Sequence, residues 1–446
     1  MSRNNERSGS RTGALLAALA LAASALGAPA AAHAQTLAVR GGTVHAMAGE
    51  PYVGTVVMEN GRITAAGPSA AVPAGATVID ATGLHVYPGL FDAGTQLGLT
   101  EVGAVDVTND IDELGDYTPH LLARTAVHPA SEHIPVARAN GITHALTLPM
   151  GGRGGGSGGF PGQGSVLSLD GWTVEEMDIE PASVMVLDWP TIRTGGRPAW
   201  LGGGGERSFE DAREDYERAV AQLTQWLDAA RSYARSVEGG ATIPRDLRLE
   251  ALARVTRGEL PVLARVEAER DIRNVVEFAQ AQGLRLILAG ASEGYRVADL
   301  LAARGIPVIL GPTQAMPRGE DRGYDEAYAN PGLLHAAGVT IAFATFNSSD
   351  SRTLPYEAAM GIPFGLPRDV ALRAITVTPA RILGLAERLG TVQPGRLGNL
   401  IVTDGDPLEI TTRVRHLIVE GREVPTLNRH RDLYERYRSR PGMPKR

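Results

Sequence analysis

At 446 residues, with 43% hydrophobic and 21% charged residues, the chain holds enough apolar material for one large domain with an appendage or for two ordinary domains, which argues against general disorder. A formal charge of −7 speaks against a nucleic-acid partner, and the absence of cysteine excludes disulfides, thiolate chemistry and a lipid-bearing cysteine. Arginine supplies nearly all the positive charge, because the only lysine is Lys445.

Residues 1–34 have the three parts of a secretory signal: Arg3, Arg7 and Arg11, an apolar stretch from about Ala14 to Leu26, and Ala32-His33-Ala34 before Gln35. This predicts cleavage after Ala34 and a periplasmic or secreted protein. The apolar stretch is too short for a comfortable membrane span and no later window is long enough, so no membrane span is expected after cleavage. Cleavage removes a net +2 and takes the charge from −7 to −9.

From 35 to 86 short apolar runs alternate with Gly, Pro and Asn-Gly breaks, and Asn60-Gly61 between two alternating runs predicts a hairpin. A matching set of strands returns over 389–426. The two sets flank a body, 87–388, in which strands and helices alternate. Strand-length runs at Ile142–Leu148, Leu260–Val266, Leu284–Ala289, Ile306–Leu310 and Val339–Ala344 each follow a helical pattern. Asp211 to Val237 predicts a long amphipathic helix with Tyr216, Leu223, Trp226, Leu227 and Ala230 on one face. Residues 427–446 form a basic tail with an exposed helix expected over Leu427–Arg440.

The central stretch is Tyr87-Pro88-Gly89-Leu90-Phe91-Asp92-Ala93-Gly94-Thr95-Gln96-Leu97-Gly98, an apolar run that ends in small polar residues and a loop. It resembles the first barrel strand of the amidohydrolase superfamily, roughly Pro-Gly-Leu/Ile-Asp-x-His-x-His. Leu354-Pro355-Tyr356-Glu357-Ala358, Ala374 to Gly384 and Gly390 to Leu400 extend the resemblance over nearly the whole mature chain, with Arg396 and Asn399 departing from the usual Lys and Asp. The group it is most similar to is imidazolonepropionase-like and dihydroorotase-like. The resemblance implies an α/β fold: a (β/α)8 TIM barrel beside a composite β-sandwich built from N- and C-terminal strands.

The same resemblance places the family's metal ligands on unusual residues. They fall at Gly94 and Gln96 on the first strand, at Arg265, near Gly290, and at Phe346 or Asn347 on the last strand. Arginine is permanently charged and cannot coordinate a cation. Asp350, a few residues beyond, is a candidate for the catalytic aspartate and equally reads as a loop carboxylate capping the next element. No lysine is available to bridge two metals inside the barrel. His120, His128 and His133, with Glu101, Asp106 or Glu132, have no recognised ligand spacing, and His144, inside a strand, reads as a core histidine.

What remains at the expected mouth is polar: Thr95, Gln96, Glu101, Arg265, Glu267, Glu293, Asn347, Asp350 and Arg352 are the ligand-binding candidates. The glycine-rich run 151–164 reads either as a loop closing over a ligand or as a linker, and it lacks the Lys-Ser/Thr of a phosphate loop. Two functions stay open. One is a metal-free binder of a small-molecule ligand, without a cofactor, which supports an active amidohydrolase relative or self-associates. The other is a hydrolase of non-peptide carbon–nitrogen bonds, imidazolonepropionase-like, with zinc or another divalent metal in an atypical site. Loss of several ligands together favours the first.

Overall fold

The computed structural model describes residues 36–150, 158–192, 194, 208–316 and 323–440. The expected signal segment therefore lies outside the described residues, as does 151–157 of the glycine-rich run.

The first sheet starts with β1 (Thr36–Val44), β2 (Tyr52–Glu59), β3 (Arg62–Gly67), β4 (Thr77–Asp80) and β5 (His85–Pro88), and it ends with β14 (Leu400–Thr403), β15 (Val414–Val419) and β16 (Arg422–Val424). Its order is β16-β15-β14-β5-β1-β2-β3, with β4 beside β1. The two chain ends meet where β5 runs antiparallel to β14, from Leu400 opposite Pro88 to Thr403 opposite His85. The β2–β3 hairpin turns on Asn60 (φ 51°) and Gly61 (φ 79°), the left-handed pair that a two-residue turn requires.

The second sheet forms the barrel. It contains β6 (Leu90–Thr95), β7 (Ile142–Thr147), β8 (Gly159–Ser168), β9 (Asp178–Asp188), β10 (Val262–Val266), β11 (Leu286–Gly290), β12 (Val308–Leu310) and β13 (Ile341–Phe343), in that order across the sheet. Beyond β13 the chain comes back to β6, where Phe346 N–H donates to the Gly94 carbonyl at 2.8 Å and brings the sheet close to closure. Alternate side chains, among them Phe91, Ala93, Leu146, Val186, Leu263, Ile287, Ile309 and Ala342, fill the interior. Those between them pack on the helices.

The strict alternation expected from the sequence breaks at β8, which pairs antiparallel with both β7 and β9. Among the described residues only the single helical turn Val174–Met177 lies between these strands, too short to cross over, so the chain reverses as hairpins and the strand runs antiparallel. This also places 158–164 differently from either reading of the glycine-rich run. Its described part is buried and begins a strand, and the segment 116–122 lies directly on it through the bridges Tyr117–Phe160 and Leu122–Gln163. A Cβ at Gly159 (φ 156°) would sit 2.1 Å from the Asp116 carbonyl oxygen, so two backbones approach where no side chain fits.

Besides the single turn Val174–Met177, the described α-helices are α1 (His133–Arg138), α2 (Phe209–Glu238), α3 (Leu247–Thr256), α4 (Glu269–Gln282), α5 (Ala298–Arg304), α6 (Glu326–Ala336), α7 (Leu354–Ala359), α8 (Arg368–Arg373), α9 (Val377–Ile382) and α10 (Arg429–Arg438). The Ser208 side chain caps α2 by accepting from Asp211 N–H. Leu223, Leu227, Ala230 and Ala234 form its buried stripe, and each leucine stabilises by about 2 kcal/mol. Pairs such as Glu210–Arg213 and Asp228–Arg231 lie on its outer face. Helix α10 buries none of its residues.

Candidate functional site at the barrel mouth

In a barrel of this kind function sits at the C-terminal ends of the parallel strands, where the loops converge. A register shift between Asp92 and Thr95 disturbs the regular pairing of β6 with β7 just before Gly94. A Cβ at Gly94 would lie 2.8 Å from Phe346 Cε1 and 3.0 Å from Leu148 Cδ1, so the aromatic ring occupies the space that a longer side chain would need. Beside it the Gln96 amide donates to the Met150 sulfur. Phe346 itself is held at φ 50°, an unusual backbone state for an aromatic residue.

Arg265 is built into an ion pair. The parallel register sets it opposite Asp188, the last residue of β9, and both its Nε and one terminal nitrogen lie 2.6 Å from Asp188 Oδ1. The two side chains are 24% and 10% exposed, so solvent screens the pair only in part. One strand further, Gly290 (φ 86°) leaves room for the Glu267 carboxylate, and a Cβ there would come within 2.7 Å of Glu267 Oε1. Glu267 Oε2 accepts from Ser292 N–H at 3.1 Å. Glu267, Gly290, Ser292, Thr313 and Asn330 border a cavity of about 60 Å³, room for a few waters or the head of a small polar molecule.

The most enclosed charge of the mouth is Asp92, which the sequence presents only as part of the strand motif. Its Oδ1 accepts from Gly94 N–H (3.2 Å) and Thr345 N–H (3.1 Å), and its Oδ2 from the hydroxyls of Thr345 and Ser351, both at 2.6 Å. Thr95 adds a bond from its hydroxyl to the Asn347 carbonyl at 3.0 Å. Burial raises the Asp92 carboxyl to about 6, and the four donors oppose that rise. Strand β6 is thereby tied to the loop after β13.

The remaining candidates make local hydrogen bonds around the mouth. Asn347 Oδ1 accepts from Ser349 and Asp350 N–H groups in a turn. Asp350 is exposed and precedes the short turn Ser351–Thr353, where its carbonyl accepts from the Thr353 N–H and hydroxyl. Arg352 reaches the Ser349 carbonyl, and its own carbonyl accepts from Asn140 at 2.6 Å. Glu293 accepts from Glu269 N–H at 2.5 Å at the start of α4. Glu101 receives Glu132 N–H at 3.3 Å, and its carbonyl meets His133 Nε2 at 2.9 Å. Among the described residues no three His, Asp or Glu side chains, His120, His128 and His133 included, gather as a metal would need.

His144 is a satisfied core histidine. Asn399 Nδ2 lies 2.5 Å from its Nε2, and Thr143 Oγ1 lies 2.7 Å from its Nδ1. An amide can only donate there, so Nε2 accepts and Nδ1 carries the proton. Burial lowers its pKa to about 3. Two further carboxylates are not among the site residues read from the sequence: Asp188, and Glu357 of the Leu354–Ala358 motif, which is buried and accepts from Thr313 N–H (2.6 Å), the Thr313 hydroxyl (2.7 Å) and Gln314 N–H (3.0 Å). The signal for Asp188 was present, a carboxylate closing the apolar run Val184–Leu187.

Residues 260–425 match the model of the Amidohydrolase family. Amidohydrolase tasK of Hapsidospora irregularis is 25% identical over 397 residues, covering 83% of this chain and 40% of that one. N-substituted formamide deformylase of Arthrobacter pascens is 28% identical over 166 residues, 34% of this chain and 29% of the relative. Imidazolonepropionase of Sphingopyxis alaskensis is 39% identical over 82 residues, 17% and 20%. The chain spans less than half the length of these curated relatives. An amidohydrolase structure from Thermotoga maritima superposes with a TM-score of 0.74 at 24% identity, covering 88% of this chain and all of that one. This last likeness shows the fold.

Proposed function

Since the chain belongs to the amidohydrolase superfamily, we propose that it is an exported member that works without a metal, binding a small polar molecule at the barrel mouth either alone or in support of an active relative. The observation that carries this reading is the Arg265–Asp188 ion pair at a position where the family places a ligand. A divalent cation does not fit the residues present. Arg265 offers no lone pair and adds a like charge. Phe346 fills the space beside Gly94, and Gly290 has no donor side chain.

The mouth retains the means of recognition. Arg265 is a fixed cation held in orientation by Asp188, suited to a carboxylate or a polarised carbonyl, and Glu267 borders the small cavity one strand away. Support of a partner fits the length of the Hapsidospora relative, in which the matched stretch shares its chain with a longer remainder. The signal-like N-terminus supports export.

Metal content of protein purified without a histidine tag, measured by mass spectrometry before and after incubation with zinc, manganese and iron, tests the reading. The expected result is no stoichiometric metal in any condition. Retention of near one equivalent would overturn it in favour of a hydrolase of carbon–nitrogen bonds, the activity that the names of the deformylase and imidazolonepropionase relatives suggest. Export is checked separately by fractionating expressing cells and sequencing the mature N-terminus, with Gln35 expected first.

A further inference from the structure

The barrel has a second opening, at the end opposite the mouth. A cavity of about 420 Å³ lies below the N-terminal ends of β10, β11 and β12, bounded by Pro261, Leu286, Ile287, Ile306 and Pro307 and closed by Ile382 of α9. Its volume is in the range of small-molecule sites. The wall is mixed: its inner part is apolar, where Ile287 and Ile306 are only 3% and 9% exposed, and Gln280, Arg285 and Arg304 supply polar surface.

At its rim stand two guanidinium groups. Arg285 donates to the Gly258 carbonyl at 3.0 Å, and Arg304 to the Gln280 side-chain oxygen. These partners are neutral, and among the described residues neither arginine has a carboxylate at ion-pair distance. Both helices that end at the cavity, α4 and α5, close their own carbonyls. Gly283 and Gly305 take left-handed conformations, and the N–H groups of Leu284 and Ile306 donate back to the Ala279 and Leu301 carbonyls at 2.8 and 3.0 Å. The helix ends therefore leave the positive charge of the two arginines uncancelled by any full negative charge. A cavity with an apolar inner wall and two cations at its polar edge suits an amphipathic anion.

We propose that this lower cavity binds a small organic acid, its apolar body against Ile287, Ile306 and Ile382 and its carboxylate between Arg285 and Arg304. The site is separate from the mouth. Strand β10 alone, from Val262 to Val266, spaces the two by roughly 13 Å.

Octanoate, octanamide and octylammonium, titrated calorimetrically into the purified full chain, test the proposal. Octanoate is expected to bind one site per chain, at least about tenfold tighter than the neutral amide, with the ammonium weakest. R285Q/R304Q should weaken octanoate by about tenfold or more and leave the amide unchanged. Both arginines are exposed, so this variant keeps its fold. A279F, which fills the cavity from α4, should abolish binding of both probes, whereas R265Q in the mouth should leave octanoate binding as it is. Equal affinity for octanoate and octanamide, no binding at millimolar octanoate, or a loss caused by R265Q and not by R285Q/R304Q would overturn the proposal.

Discussion

The buried His144 makes a quantitative claim about stability and pH. Its folded pKa of about 3 lies below the ordinary 6.5, because burial disfavours the imidazolium and the positive charge of Arg388 repels it. Between those values the unfolded chain takes up a proton that the folded chain refuses. The contribution is therefore complete above pH 6.5 and is lost as pH falls towards 3, at about 1.4 kcal/mol per pH unit. From pH 7.5 to 4.5 that amounts to about 2.7 kcal/mol. Asp92, raised to about 6, acts in the opposite sense over part of this range, so the wild-type curve alone does not isolate the histidine. H144Q removes the titration and keeps a polar side chain beside Thr143 and Asn399. Urea unfolding of both proteins at pH 7.5, 6.5, 5.5 and 4.5 should show the wild type losing about 2.7 kcal/mol more than H144Q over the whole interval. Curves that stay parallel within about 1 kcal/mol would refute the assignment of a neutral, Nδ1-protonated His144.

D92N should remove the opposite term. A raised carboxyl pKa gives stability that is present below the ordinary 3.8 and fades as pH rises through about 6, so the variant's stability profile should lack a fall of about 3 kcal/mol across that interval. G94H, which reinstates the family's residue, forces an imidazole against the Phe346 ring and should lower stability by about 1–3 kcal/mol, with G94H/F346A recovering part of it in thermal melts. R265Q leaves Asp188 without its guanidinium and should cost about 2 kcal/mol, less than a fully buried pair because Arg265 is partly exposed, while R265Q/D188N should restore most of the loss. Unfolding of the two single variants and the double variant would show whether the pair interacts at all.

The sequence carried the barrel and the joint sheet well, because both depend on patterns that propagate along the chain. Short apolar runs between helical stretches identify parallel strands, and Asn60-Gly61 fixes a turn through the conformations its residues tolerate. Strand β8 was not legible for a physical reason. Its glycines look like a loop when read locally, and only the backbone of Asp116 to Leu122 lying against them explains their absence of side chains. The same limit applies to the mouth. Arg265 could be read as a misplaced residue at a ligand position, but its partner Asp188 is 77 residues earlier and meets it only through strand register. Asp92 sits in the motif that anchored the resemblance, yet its donors Thr345 and Ser351 come from more than 250 residues away.

A metal bound by several strands also pins their ends together, so the metal-free reading proposed above requires other ties at the same place. Such ties occur around much of this mouth. Asp92 joins β6 to the loop after β13, Asp188–Arg265 joins β9 to β10, Glu267 joins β10 to the loop after β11, and Glu357 holds the loop after β12 to α7. Three of the four ties engage a carboxylate with neutral N–H or O–H donors, and the fourth with a guanidinium. All depend on the donors staying in place rather than on an exchangeable ion. The ties are expected to make folding stability insensitive to chelators, and a thermal midpoint that falls on addition of EDTA would mean that a cation still bridges these strands.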